Sequence, residues 1–192
     1  MLRVVLIRPG TTDYDEQGRI KGRLDIPMNQ NGEIQVTTTT QEVSELGIEV
    51  VYSGPCTAAQ QTAKLIAEKL DVRMKEIKPL QNLDPGLWQG KLIEEVKTQH
   101  PKIFRRWQEQ PETMCPPEGE MLEDAQQRLQ EAVAKLYRKN KDKVIAVVMP
   151  EPIASILRAM LINEELGDLW QAETTCGHWE LIEVNPASPV AL

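Results

Sequence analysis

Val4-Val5-Leu6-Ile7-Arg8-Pro9-Gly10-Thr11-Thr12 is the stretch on which the reading of this chain turns. A short β-branched run that stops at Pro-Gly reads as a buried strand delivering a polar turn. Two more runs behave alike: Glu49 to Ser53, closed by Gly54-Pro55, and Val144 to Val148, followed by Met149-Pro150. Helical periods alternate with them. From Cys56 to Leu70 the residues Ala59, Ala63, Ile66, Ala67 and Leu70 share one face, and Leu122 to Leu136 is the clearest amphipathic stretch. Ile153 to Ile162 reads as a further helix, with Pro152 suited to its first turn. Met74 to Leu80 is a weaker strand candidate and His178 to Val184 a last strand.

This alternation predicts an α/β fold, a three-layer α/β/α arrangement around a mostly parallel central sheet. Ligands in such sheets bind beyond the carboxyl ends of the strands, where Pro9, Ala58 and Pro150 fall. One domain over residues 1–185 is expected from a chain of 192 residues, with residues 186–192 as a disordered tail.

Three widely spaced cysteines, Cys56, Cys115 and Cys176, argue for reduced thiols and a cytoplasmic protein. No apolar run is long enough to span a membrane. A net charge of −7 speaks against nucleic acid as a partner. The basic run Lys135 to Lys141 reads as the closing turn of a helix. No cofactor is indicated. His100 and His178, the only two histidines, read as surface or packing residues remote from the Arg8 turn, and the tryptophans Trp88, Trp107, Trp170 and Trp179 as packing residues.

From Arg3 to Val184 the chain resembles the histidine phosphatase (phosphoglycerate mutase-like) superfamily. The opening segment carries Arg8-Pro9-Gly10-Thr11-Thr12, Asp15, Gly18-Arg19-Ile20-Lys21-Gly22, Asp25-Ile26-Pro27-Met28, Gly32 and Gln35. It is similar to that family's Arg-His-Gly-Glu-Thr, Asn, Gly-Arg-x-Gln-Gly, Asp-x-Pro-Leu and Gly-x-x-Gln. Tyr52 to Ala63 resembles its Ser-Ser-Pro-Leu-x-Arg-Ala-x-Gln-Thr-Ala, with Ala58 at the arginine. Leu80 to Gly90 resembles its Leu-x-Glu…Gly-x-Trp-Glu-Gly, with Asn82 at the glutamate, and Val147 to Glu151 its Val-Val-Ser-His-Gly. Pro117-Glu118-Gly119-Glu120, with Arg128 downstream, completes the match.

The resemblance implies a phosphate pocket at Arg8, Pro9, Gly10, Asp15, Lys21, Ala58, Asn82, Pro150 and Glu151. Pro9 and Pro150 stand where it implies catalytic imidazoles, Ala58 where it implies a phosphate-clamping arginine, and Asn82 where it implies a proton donor. Only Arg8 remains as a phosphate ligand, with the charge of Glu151 opposing it. The expectation is a catalytically inactive family member with a binding, regulatory or scaffold role. Its partner, a protein or a small molecule, stays unidentified, and a homodimer stays open. The alternative is a phosphatase or mutase-type hydrolase of altered chemistry. That enzyme would use Cys56, or a metal held by Asp13, Asp15 and Glu151, although Asp13 and Asp15 read more simply as a solvated loop.

Overall fold

The computed structural model describes residues 1–173 and 175–184. Five strands form one sheet: β1 (Arg3–Ile7), β2 (Val50–Ser53), β3 (Arg73–Glu76), β4 (Val144–Val148) and β5 (Trp179–Glu183). Their order is β3-β2-β4-β1-β5. The pairings β2 with β3, β2 with β4 and β1 with β4 are parallel, while β5 runs antiparallel to β1. The sheet is therefore mixed and mostly parallel.

Side chains alternate across the pleat, so each strand feeds two cores. Val4, Leu6, Tyr52, Ile145 and Val147 face one side, where Leu122, Ala125 and Leu129 of α6 (Leu122–Lys139) and Ile153 and Leu157 of α7 (Ile153–Ile162) cover them. Val5, Ile7, Val51, Ala146 and Val148 face the other side. There they meet Val36 and Val43 of α2 (Gln30–Val43) and Ala59, Ala63 and Ile66 of α3 (Thr57–Leu70). Three layers result, as the alternation of runs predicts.

The remaining helices are α1 (Asp13–Glu16), α4 (Ile93–Gln99), α5 (Pro101–Glu109) and α8 (Leu169–Glu173). Trp88 packs edge-on to Trp107 at 6.2 Å and beside Trp170 at 5.6 Å, and Trp170 stacks on Phe104 at 4.6 Å. Those three tryptophans are packing residues, as expected. Among the described residues no helix is long and apolar enough to cross a membrane.

The structure corrects three local expectations. The strand predicted over Met74 to Leu80 ends at Glu76, and Lys78–Leu80 is a 3-10 turn. Pro79 has no N–H to continue a ladder, so the chain turns and buries Leu80. Asp13 and Asp15 lie not in a solvated loop but on α1, where Asp15 and Thr12 form a capping box. Helix α2 has no counterpart in the predicted elements, because four consecutive threonines, Thr37 to Thr40, read against a helix. Thr37, Thr38 and Thr40 resolve this by donating their hydroxyls to the carbonyls of Glu33, Ile34 and Val36. The tail expected at 186–192 lies outside the described residues. Helix α6 closes on Arg138 and Lys139, in agreement with the reading of the basic run.

Candidate active site

Strands β1, β2 and β4 end side by side, and the turns after them build a crevice. Pro9, Gly10, Lys21, Cys56, Ala58 and Pro150 line it. The sequence thus brought the right segments to one place. The cavity is small, about 20 Å³, room for one water. Cys56 also lines an adjoining hollow of about 140 Å³, with Arg23, Asp25, Gln81 and Asn82.

Two glycines make the Arg8 turn possible. A Cβ on Gly10 would stand 2.5 Å from the Gly32 carbonyl oxygen, and one on Gly32 would stand 2.3 Å from that of Thr11. The start of α2 is thereby pressed against the turn, and Thr11 N–H donates to Gln35 Oε1 at 3.0 Å.

Arg8 is not free to hold a ligand, contrary to the sequence expectation. Its Nε donates to Glu151 Oε1 at 2.7 Å and one terminal nitrogen to Glu180 Oε1 at 2.6 Å. Glu151 does not oppose Arg8; it neutralises it, and also accepts from Ser155 N–H at 3.0 Å. Glu180 in turn binds Arg158 at 2.8 Å. No motif marks β5 as the element that delivers Glu180 to this place.

Lys21 donates to Asp15, whose other oxygen accepts from Thr12 N–H and Oγ1 at 2.7 Å each. Burial pulls the Lys21 pKa down, but the charge and hydrogen bond of Asp15 outweigh it and leave it raised. Asn82 is a structural cross-link: its amide nitrogen donates to the carbonyls of Gly22 at 3.0 Å and Glu151 at 2.9 Å, and its oxygen accepts from Leu83 N–H at 2.9 Å. Arg128 grips the same loop through the carbonyls of Pro79, Gln81 and Asn82 and pairs with Glu120 at 2.7 Å.

The carboxylates suggested for a metal do not converge. Asp13 accepts from Asn29 at 3.2 Å, Asp15 is held by Lys21, and Glu151 by Arg8. Among the described residues no group of three or more acidic, cysteine or histidine side chains is placed to hold an ion. His100 and His178 are both exposed. His178 is not remote from the Arg8 turn, however: its carbonyl accepts from Arg8 N–H at 2.8 Å.

Two groups of the site escaped sequence reading. Cys176 Sγ lies 2.8 Å from Thr11 Oγ1. Glu173, the last residue of α8, is buried among charged groups, and its pKa is pushed up to about 8 by burial, with Lys21 opposing and Glu151 and Asp15 assisting. Neither has a helical or strand period to betray it. The unfolded chain releases this Glu173 proton near 4.5, whereas the folded one holds it to about 8. Stability therefore falls as pH rises between those values, by on the order of a few kcal/mol, and is flat above them. Glu173→Gln is expected to abolish that slope in melting curves recorded against pH.

A three-layer α/β/α protein with its crevice at the strand tips is the class that fold and site define. The chain belongs to the histidine phosphatase superfamily (branch 1), whose description matches residues 4–192. It is similar to phosphoserine phosphatase 1 of Hydrogenobacter thermophilus, with 27% identity over 100% of this chain and 91% of that one. Adenosylcobalamin/alpha-ribazole phosphatase of Escherichia coli is 23% identical over 96% of this chain and 91% of its own. Among solved structures, Bacillus stearothermophilus YhfR superposes with a TM-score of 0.86 at 22% identity, covering 98% of this chain and 94% of that one.

These relatives overturn the expectation of an inactive scaffold. Proteins named as phosphatases match the chain almost end to end and point to an enzyme of the superfamily. The expectation equated missing imidazoles with missing chemistry. A nucleophile other than an imidazole can still take part in phosphoryl transfer.

Proposed function

We propose that the chain is a phosphate-monoester hydrolase of altered chemistry, with the Cys56 sulfur as its nucleophile. The named activities of its relatives support the reaction class, and a phosphorylated hydroxy-amino acid such as phosphoserine is the first substrate to try. The observation that carries the reading is the place of Cys56. It precedes the first turn of α3, on the wall shared by the crevice and the larger hollow, which Arg23, itself paired with Asp84 at 3.4 Å and Glu120 at 3.2 Å, also lines.

In this reaction the thiolate attacks phosphorus while the ester P–O bond breaks, and the leaving oxygen takes a proton from water. A second water then attacks the phosphocysteine as the S–P bond breaks, releasing phosphate and the thiolate, and the proton it sheds neutralises the hydroxide left by the first water. Burial pushes the Cys56 thiol up, with Lys21 and the backbone N–H of Ala59 only partly offsetting it. The thiolate is therefore scarce at neutral pH, and the rate at saturating substrate is expected to climb with pH beyond the ordinary thiol range.

Hydrolysis of para-nitrophenyl phosphate and phosphoserine by the purified protein tests this. Cys56→Ala is expected to lower the rate at least ~100-fold, iodoacetamide to abolish it, and a chelator to leave it unchanged. No turnover above buffer at any pH, or undiminished turnover by Cys56→Ala, sinks the reading. A cytoplasmic location, a small-molecule rather than nucleic-acid or membrane partner, and a homodimer checked by sedimentation belong to the same proposal.

A further inference from the structure

We propose that the open edge of β3, flanked by the last turns of α6, is a docking surface for an extended acidic segment of a partner protein. Nothing in the assignment depends on the phosphatase reading.

β3 is an outer strand of the sheet and pairs with β2 alone. Among the described residues, the backbone groups of Arg73 to Glu76 make no hydrogen bond beyond that pairing. An edge of this kind offers its free N–H and C=O groups to another strand.

Register partners point to the same face, so Lys75 lies beside Tyr52 and Arg73 beside Val50. Tyr52 faces α6 and shares hydrogen bonds with Asn140, the residue that ends that helix. Lys75 is thereby set against Lys139, the last residue of α6. Lys135 lies one turn earlier on the same flank. Arg128, two turns earlier still, reaches from it to the carbonyls of the loop after β3.

Among the described residues, Arg73, Lys75, Lys135 and Lys139 form no ion pair. Carboxylates that could serve them are engaged elsewhere. Glu49 holds Lys143 at 2.9 Å, Asp142 holds the N-terminal ammonium, and Glu76 accepts from Gln60 at 2.7 Å. The charges of Lys139 and Arg73 hold the Lys75 ammonium below its ordinary pKa. A chain of net charge −7 thus gathers unmatched cations along one free strand edge.

Edge lysines also serve simply to repel other strands. That task does not call for cations crowded onto one face, where each opposes its neighbour. A second copy of this chain is a poor occupant, because antiparallel pairing across the edge would set Arg73 and Lys75 against the same residues. A strand with acidic residues at alternate positions fits. Its backbone continues the ladder while its carboxylates fall on the face of Arg73, Lys75 and Lys139.

The probe is a capped peptide of about six residues that alternates glutamate with valine, titrated into the protein and followed through its amide NMR signals. Binding is expected to shift the β3 amides and to weaken at least ~10-fold between low and high salt. Lys75→Glu combined with Lys139→Glu should weaken it by a similar factor and accept a lysine–valine peptide instead. Neither side chain is buried, so the variant should keep its fold, which circular dichroism checks. N-methylation throughout the glutamate peptide keeps its charge, removes its donors and should abolish binding. No binding, or equal binding by the methylated peptide, overturns the proposal. So does tighter binding of a single-stranded oligonucleotide at the same amides, or a shift of those amides with protein concentration alone.

Discussion

Arg8→Ala is expected to lower the unfolding free energy by about 3–5 kcal/mol, the usual consequence of stranding one partner of a buried ion pair. The side chain of Glu151 is 1% exposed and would keep only the Ser155 N–H as a donor. Glu180 would fare better, because its side chain is 24% exposed and Arg158 remains bound to it. The same logic makes Glu180→Ala milder, since Arg8 retains Glu151. Urea unfolding of the two variants checks the order. Replacing the buried pair together, as Arg8→Met with Glu151→Leu, should recover much of the loss, because no charge is then left unpaired. A loss below about 1 kcal/mol for Arg8→Ala would mean that water reaches Glu151 and that the pair is not buried as described.

Trp88→Ala is expected to be comparably damaging, by about 3–5 kcal/mol. Trp88 is 4% exposed and joins the rings of Trp107 and Trp170, so its loss opens a cavity between α5 and α8 that backbone cannot fill. The effect should reach the crevice. Gly90 N–H donates to the Ile20 carbonyl at 2.8 Å, and Ile20 N–H to that of Lys91 at 2.9 Å, which holds the strand of chain leading to Lys21. Trp88→Phe, which refills part of the space, should lose less than half as much. Chemical denaturation and tryptophan fluorescence of the three proteins supply the comparison. Equal stability of Trp88→Ala and wild type would show that the ring cluster is not part of the cooperative core.

Sheet composition and layer order were legible because β-branched runs and helical periods report burial directly. Val144 to Val148 could be nothing but a central strand, and all five residues are buried. Convergence of Pro9, Ala58 and Pro150 on one crevice followed from their place after strand ends. Helix α2 was not legible, because its threonines satisfy their hydroxyls along the helix itself, a solution that propensity does not register. Pairing within the site was hidden for a different reason. Arg8 meets Glu180 from 172 positions away, and Glu173 meets Asp15 and Lys21 only through the packing of α8. Residue types at a motif announce where a pocket stands, while the state of each charge is decided by partners the motif does not contain. The expectation of inactivity weighed the absent imidazoles above the Cys56 alternative, and the relatives named as phosphatases overturn it.

Asn82 has become a keystone. Its amide nitrogen ties the loop at Gly22 to the turn at Glu151, using donors that a carboxylate lacks, while its oxygen accepts from Leu83 N–H. A glutamate there would lose both outward ties and set acceptor oxygens against the carbonyls of Gly22 and Glu151. A designer who wants a carboxylate at position 82 must therefore rebuild the loops at Gly22 and Glu151 first.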